Sequence, residues 1–139
     1  MKKLLAIALC AFILVSCKKD KKCNADAAGI SGNHRVTAVT YRTSPTSPET
    51  SFYDFFFPDA CDRDNIIVLN ANGTYELIDA GTVCSPSSSE TGTWTVVGST
   101  INIDGEIATI ASFDCDNLVM VQNDYFNVGD QIKITLTRQ

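Results

Sequence analysis

The sequence predicts an all-β fold, a short up-and-down antiparallel barrel of about eight strands. Three observations carry that prediction. Runs rich in β-branched and aromatic residues alternate apolar with polar positions, turn signals recur every eight to twelve residues, and no segment of ten residues carries an apolar stripe at helical period. Eight strands linked by short turns can close on themselves, which removes exposed edges.

The first strand is HRVTAVTYR, residues 34–42, which holds no breaker. NIIVLN (65–70) and TYELID (74–79) flank Asn70-Ala71-Asn72-Gly73, and an Asn-Gly pair between strand-like runs is a strong hairpin signal because both residues accept positive φ. A Ser-rich loop with Pro86 follows. Residues 94–97 and 101–103 are strands joined by a tight turn at Gly98-Ser99, and Asp104-Gly105 marks the next turn. Residues 106–113, 118–122 and 131–138 complete the set, with a turn at 114–117.

Alternation with period two points Val36, Ala38, Ile67, Leu69, Tyr75, Leu77, Trp94, Val96, Ile101, Ile103, Leu118, Met120, Ile132, Ile134 and Leu136 inward. Thr37, Thr74, Glu76, Thr95, Asn102, Lys133 and Thr135 then face water. Residues 106–113 are ambiguous, because Ile107 and Ile110 lie three apart and favour opposite faces. A bulge would reconcile them.

The N-terminus predicts an address. Met1-Lys2-Lys3 precedes an apolar run from residue 4 to 15, the length of a secretory h-region and too short for a membrane span of about 20 residues. The run closes on Leu14-Val15-Ser16-Cys17, which resembles the lipobox of bacterial lipoproteins. The resemblance implies a signal peptide over 1–16, cleaved before Cys17, and a lipid on Cys17, with residues 17–31 as a tether. Several acyl chains at about 0.8 kcal/mol per buried methylene make a lasting membrane anchor. Lys18, Lys19, Lys21 and Lys22 would lie near lipid headgroups or in solvent. Export with a lipid anchor, on the outer membrane and facing the periplasm rather than the cell surface, is the expected location, because this tether is basic and not acidic.

The chain carries 11 basic and 16 acidic residues. Beyond residue 29 only Arg35, Arg42, Arg63, Lys133 and Arg138 are basic, against fourteen acids. A body this acidic repels phosphate, so a nucleic-acid partner is not expected. Cys23, Cys61, Cys84 and Cys115 remain in the body, and an oxidising compartment permits any of three pairings. Their spacing does not fit a structural zinc site, and His34 is the one histidine. Asp59, Asp62, Asp64 and Asn65 read as loop caps rather than calcium ligands. No Gly-x-Ser-x-Gly elbow is present. No metal, no cofactor and no enzyme activity is expected.

Cys61-Asp62-Arg63-Asp64-Asn65, then Leu69-Asn70-Ala71-Asn72-Gly73-Thr74-Tyr75, then Cys84, then Glu90-Thr91-Gly92-Thr93-Trp94 follow in order along the chain. That succession resembles the small lipocalin-like domains of bacterial lipoproteins, over residues 32–139. The resemblance implies a compact barrel with an internal cavity, and it implies Cys61 paired with Cys84, which leaves Cys23 for Cys115. One departure is Gly32-Asn33-His34, where the family often has Gly-x-Trp.

SFYDFFFPDAC, residues 51–61, is the candidate functional stretch. It reads as a plug closing one barrel end, as an aromatic lid over a ligand, or as a protein-docking patch. The favoured function is a lipid-anchored binding module for a small apolar ligand. Its candidate contacts are Phe52, Tyr53, Phe56, Phe57, Leu69, Tyr75, Trp94 and Met120. The alternative is a structural lipoprotein with a filled core, acting through a protein partner.

Overall fold

In a computed structural model, residues 23–139 are described. The expected signal peptide over 1–16, the expected lipidation site Cys17 and the lysines after it lie outside the described residues. Nine antiparallel strands form one sheet: β1 (Gly32–Arg42), β2 (Thr50–Ser51), β3 (Ile66–Leu69), β4 (Thr74–Ile78), β5 (Glu90–Val97), β6 (Thr100–Ile103), β7 (Glu106–Phe113), β8 (Asn117–Asn123) and β9 (Gln131–Arg138). Sequence neighbours from β3 to β9 pair in order, and β1 pairs with both β3 and β9, so the sheet closes into a barrel. Eight of these strands are the eight the sequence predicts. The ninth, β2, is two residues long and too short for periodicity to reveal.

Three helical turns accompany the strands: α1 (Ala27–Ile30), α2 (Tyr53–Phe56) and a 3₁₀ turn at Ala60–Asp62. Asp26 caps α1 by accepting the Gly29 N–H at 2.8 Å, and Ile30 has no solvent exposure. The described body includes α1, ahead of Gly32.

Up-and-down order gives the barrel two unlike poles. The turns at 70–73, 98–99 and 114–116 lie at one pole, and α1 closes it. Asn72 Oδ1 accepts the Thr74 N–H at 3.0 Å, and Gly73 has φ 88°, as the Asn-Gly signal requires. The longer segments 43–65, 79–89 and 124–130 lie at the other pole. Ile30, Leu69, Trp94, Ile101, Leu118 and Leu136 are almost wholly buried and fill the closed half, and Trp94 Nε1 donates to Asn70 O at 2.9 Å.

His34 is buried in this floor, where its Nε2 lies 2.7 Å from Ile30 O. Burial pushes the imidazole below its usual value; the Ile30 contact opposes the shift and Arg138 reinforces it. Neutral His34 thus joins β1 to the helical cap.

Two bulges correct the expected faces. β1 shifts register against β9 between Val36 and Ala38, so Val36 opposes Leu136 while Ala38 opposes outward Thr135. Val39, opposite Ile134, takes the inward position instead and is 2% exposed. An extra residue, Thr37, inverts the phase. In β7 the shift falls between Ile110 and Ser112, not between Ile107 and Ile110. Ile107 needs no bulge, because it faces outward at 58% exposure; the bulge lets both Ile110 and Phe113 face in.

Cys61 is bonded to Cys84 and Cys23 to Cys115. The first bond joins the two long loops of the open pole. The second straps the start of the described chain to the turn between β7 and β8, at the closed pole.

Candidate functional site

The wall of the barrel is incomplete beside β1. This strand pairs with β3 only through residues 32–34, and with β2 only at Thr40 and Tyr41. Over the interval between, two carbonyls of β1 are taken by the aromatic segment: Tyr53 Oη donates to Val36 O at 3.2 Å, and Phe52 N–H to Val39 O at 2.8 Å. The segment is therefore built into the wall as well as lying across the mouth.

Beneath it is a hollow of about 400 Å³. That is near the lower end of the ~300–1,000 Å³ usual for small-molecule sites. Val36, Ile67, Leu77 and Ile103 form its walls, Phe56 and Phe57 close over it, and the ring of Tyr75 lies at its base. Asp62, Arg63, Asn65, Ser88 and Glu90 supply the polar rim.

Arg63 holds the lid in place. Its Nε donates to Phe57 O at 2.9 Å, its Nη2 meets Asp54 at 3.1 Å, and the guanidinium lies 5.9 Å from the centre of the Tyr53 ring. Asn65 ties the two loops together: Nδ2 donates to Ser88 Oγ at 2.9 Å, and Oδ1 accepts the Ala80 N–H. Asp64 Oδ2 accepts the Thr82 N–H, and Asp79 accepts the N–H groups of Cys84 and Ser88. These acids act as loop caps. The sulfurs of Cys61 and Cys84 are bonded to each other beside Asp62, so these three side chains do not form a metal-ligand set.

Tyr75, Gly92 and Asp104 form the base of the site. Tyr75 stands opposite Gly92 across β4 and β5, and a Cβ on Gly92 would lie 2.5 Å from the Tyr75 ring and collide with the Asp104 carboxylate. Glycine is the residue that leaves room for both. The Tyr75 hydroxyl is 2.7 Å from Asp104 Oδ2 and 3.1 Å from Glu90 Oε1. Burial, followed by the bonds to the two acids, pushes the phenol far above its usual range, so it stays protonated. The Thr93 N–H and the Tyr75 hydroxyl hold the Asp104 carboxyl below its usual value.

A protein-family model described as a lipocalin-like domain matches residues 30–137. The chain belongs to the lipocalin-like domain family. No curated protein and no solved structure matches it. Within the lipocalin-like frame, the hairpin and the Thr-Gly-Thr-Trp run have a shared physical meaning: Tyr75 from the first lies on Gly92 from the second.

The candidate contacts separate into three groups. Phe56, Phe57 and Tyr75 line the hollow. Leu69, Trp94 and Met120 lie in the packed core and are not among its lining residues. Phe52 turns to the other side of α2, where it packs on Tyr41 and Phe55, and Tyr53 packs on Phe57. Glu90 was not among the candidates, yet its signal was present. It shares the inward phase of Gly92, Trp94 and Val96, and a carboxylate on the inward face of a strand calls for a role.

Proposed function

We propose that this chain is a lipid-anchored envelope protein whose lipocalin-like barrel holds one small apolar molecule in the hollow at its open pole. The observation that carries the reading is the half-filled interior: close-packed around Trp94, hollow above Tyr75, with two phenylalanines over the hollow. Two disulfides support an exported protein, since such bonds persist in oxidising compartments. The lipobox-like run ending at Cys17 supports the anchor, on the periplasmic face of the outer membrane. The reading is of a binding protein and not an enzyme.

Native mass spectrometry of the oxidised protein, purified gently, is expected to show an added mass that leaves on denaturation. An apolar naphthyl fluorophore should bind, and Leu77→Trp, which fills the hollow, should abolish binding while leaving the fold intact. Undiminished binding by Leu77→Trp would sink the pocket reading. Cys17→Ser should move the protein from the membrane fraction to the soluble one; no change in partition would remove the anchor.

A second reading, docking of a protein partner, has one observation in its favour. Phe55 is 66% exposed, and Phe126 and Val128 are exposed beside it. Val128→Asp, at a side chain 96% exposed, should then break a co-purifying complex without affecting fluorophore uptake.

A further inference from the structure

We infer that the hollow selects apolar molecules with a cationic or hydrogen-bond-donating head, and rejects those with a carboxylate head. The inference rests on the pocket reading above and gives the ligand its chemical class. It comes from the balance of donors and acceptors at the polar rim.

Glu90 and Asp62 both line the hollow, and Asp104 lies just beneath, against Tyr75. The one cation among the lining residues is Arg63, and its Nε and Nη2 are engaged by the lid segment. It donates to the carbonyls of Phe57 and Pro58 and pairs with Asp54. The pair with Asp54 is exposed, so Arg63 remains one positive charge set against Glu90 and Asp62, with Asp104 beneath. The field inside the mouth is left negative.

The Tyr75 hydroxyl sharpens the preference. Two carboxylate oxygens, from Asp104 and Glu90, lie within hydrogen-bond distance of it, and a phenol has one proton to give. Asp104 is nearer and also receives the Thr93 N–H at 2.8 Å. With the phenol O–H directed to Asp104, Glu90 Oε1 faces the phenol as a second acceptor at the edge of the hollow, open to a donor from solvent or ligand. An ammonium or other N–H head between Glu90 and the phenol oxygen would supply it, with its apolar body against Val36, Ile67, Leu77 and Phe56. A carboxylate head would bring a further negative charge beside Glu90 and Asp62, with Asp104 beneath, and would be repelled.

Three probes with one ring system test this: 1-naphthylmethylamine, 1-naphthalenemethanol and 1-naphthoic acid, titrated against the oxidised full chain at neutral pH and low salt. The amine is expected to bind about tenfold or more tighter than the acid, with the alcohol between, and the gap should narrow as salt rises. Glu90→Gln should bring the amine close to the alcohol and weaken the alcohol much less, with an unchanged urea midpoint to separate loss of charge from loss of fold. Acid binding equal to or tighter than amine binding would overturn the inference and leave the pocket reading standing. So would an amine preference that survives both Glu90→Gln and Asp62→Asn. If none of the three binds, the pocket reading fails and this inference fails with it.

Discussion

Replacing Asp130 with alanine is expected to cost about 3–5 kcal/mol of stability and to loosen the lid over the hollow. Asp130 is 1% exposed and accepts four hydrogen bonds: from the N–H groups of Tyr125 (2.7 Å), Phe126 (3.1 Å) and Asn127 (2.8 Å), and from the Tyr41 hydroxyl (2.8 Å). A bond to a charged acceptor contributes about 1.5–3 kcal/mol, but four bonds to one carboxylate are not independent, and water follows the side chain out of a surface loop. The total is therefore well below four times the single value. The loop 124–130 also positions Tyr125 and Phe126, whose rings pack on Phe56 and Phe52 of the lid segment. Losing Asp130 should thus weaken fluorophore binding in proportion to lid disorder.

The assay is urea unfolding followed by Trp94 fluorescence with the disulfides intact, in wild type, Asp130→Ala and Asp130→Asn. Asparagine keeps the volume and one acceptor but turns an amide toward donors, so it should lose about 2 kcal/mol. The pH dependence has a definite sign. Burial works to raise the Asp130 carboxyl, and the Tyr41 and backbone bonds outweigh it, so the group lies below its ordinary 3.8. A depressed carboxyl contributes stability that is complete above its unfolded value and is lost as pH falls through the folded one. The acid limb of the wild-type profile should flatten in Asp130→Asn. An Asp130→Ala protein within 1 kcal/mol of wild type, or an unchanged acid limb in the asparagine variant, would refute this account.

Gly92→Ala should cost about 1–3 kcal/mol by overpacking and displace the Tyr75 ring, read as a lower urea midpoint with weaker probe binding. Ile107→Lys should change stability by less than about 0.5 kcal/mol, whereas Ile110→Lys should unfold the barrel; equal effects in thermal melts would contradict the register of β7. His34, lowered from 6.5 by burial, should make stability fall as pH drops below 6.5, because the unfolded chain takes up the proton first. His34→Gln should remove that slope from a pH series of urea midpoints.

The sequence was legible where physics acts over short range. Asn72-Gly73 marked a hairpin because few residue pairs accept that turn, and period two marked most of the inner face because each strand has one wet side. It was silent where the outcome depends on packing between distant segments. Nothing local distinguishes Thr37 as an extra residue in β1, since the bulge exists only relative to β9, and with it the exchange of Ala38 for Val39. For the candidate site, the aromatic run was visible and its partition was not. Consecutive residues of one helical turn point different ways, so Phe56 faces the hollow while Phe55 faces solvent. Trp94 and Met120 were credible contacts by side-chain type, but their strand positions place them in the filled half. Glu90 could have been read from its inward phase.

The bond between Cys23 and Cys115 has a directional consequence. It fixes the point where the preceding chain departs at the pole opposite the mouth. Between residues 17 and 23 lie six Cα steps, at most about 22 Å of reach. The anchor proposed at Cys17 would then be tethered from the closed pole, the one away from the aromatic rim. Under the proposed lipid anchor, a barrel moored by its base would be poorly placed to take cargo from the bilayer beneath it. It would take molecules arriving through the aqueous space, or present its rim to whatever passes overhead.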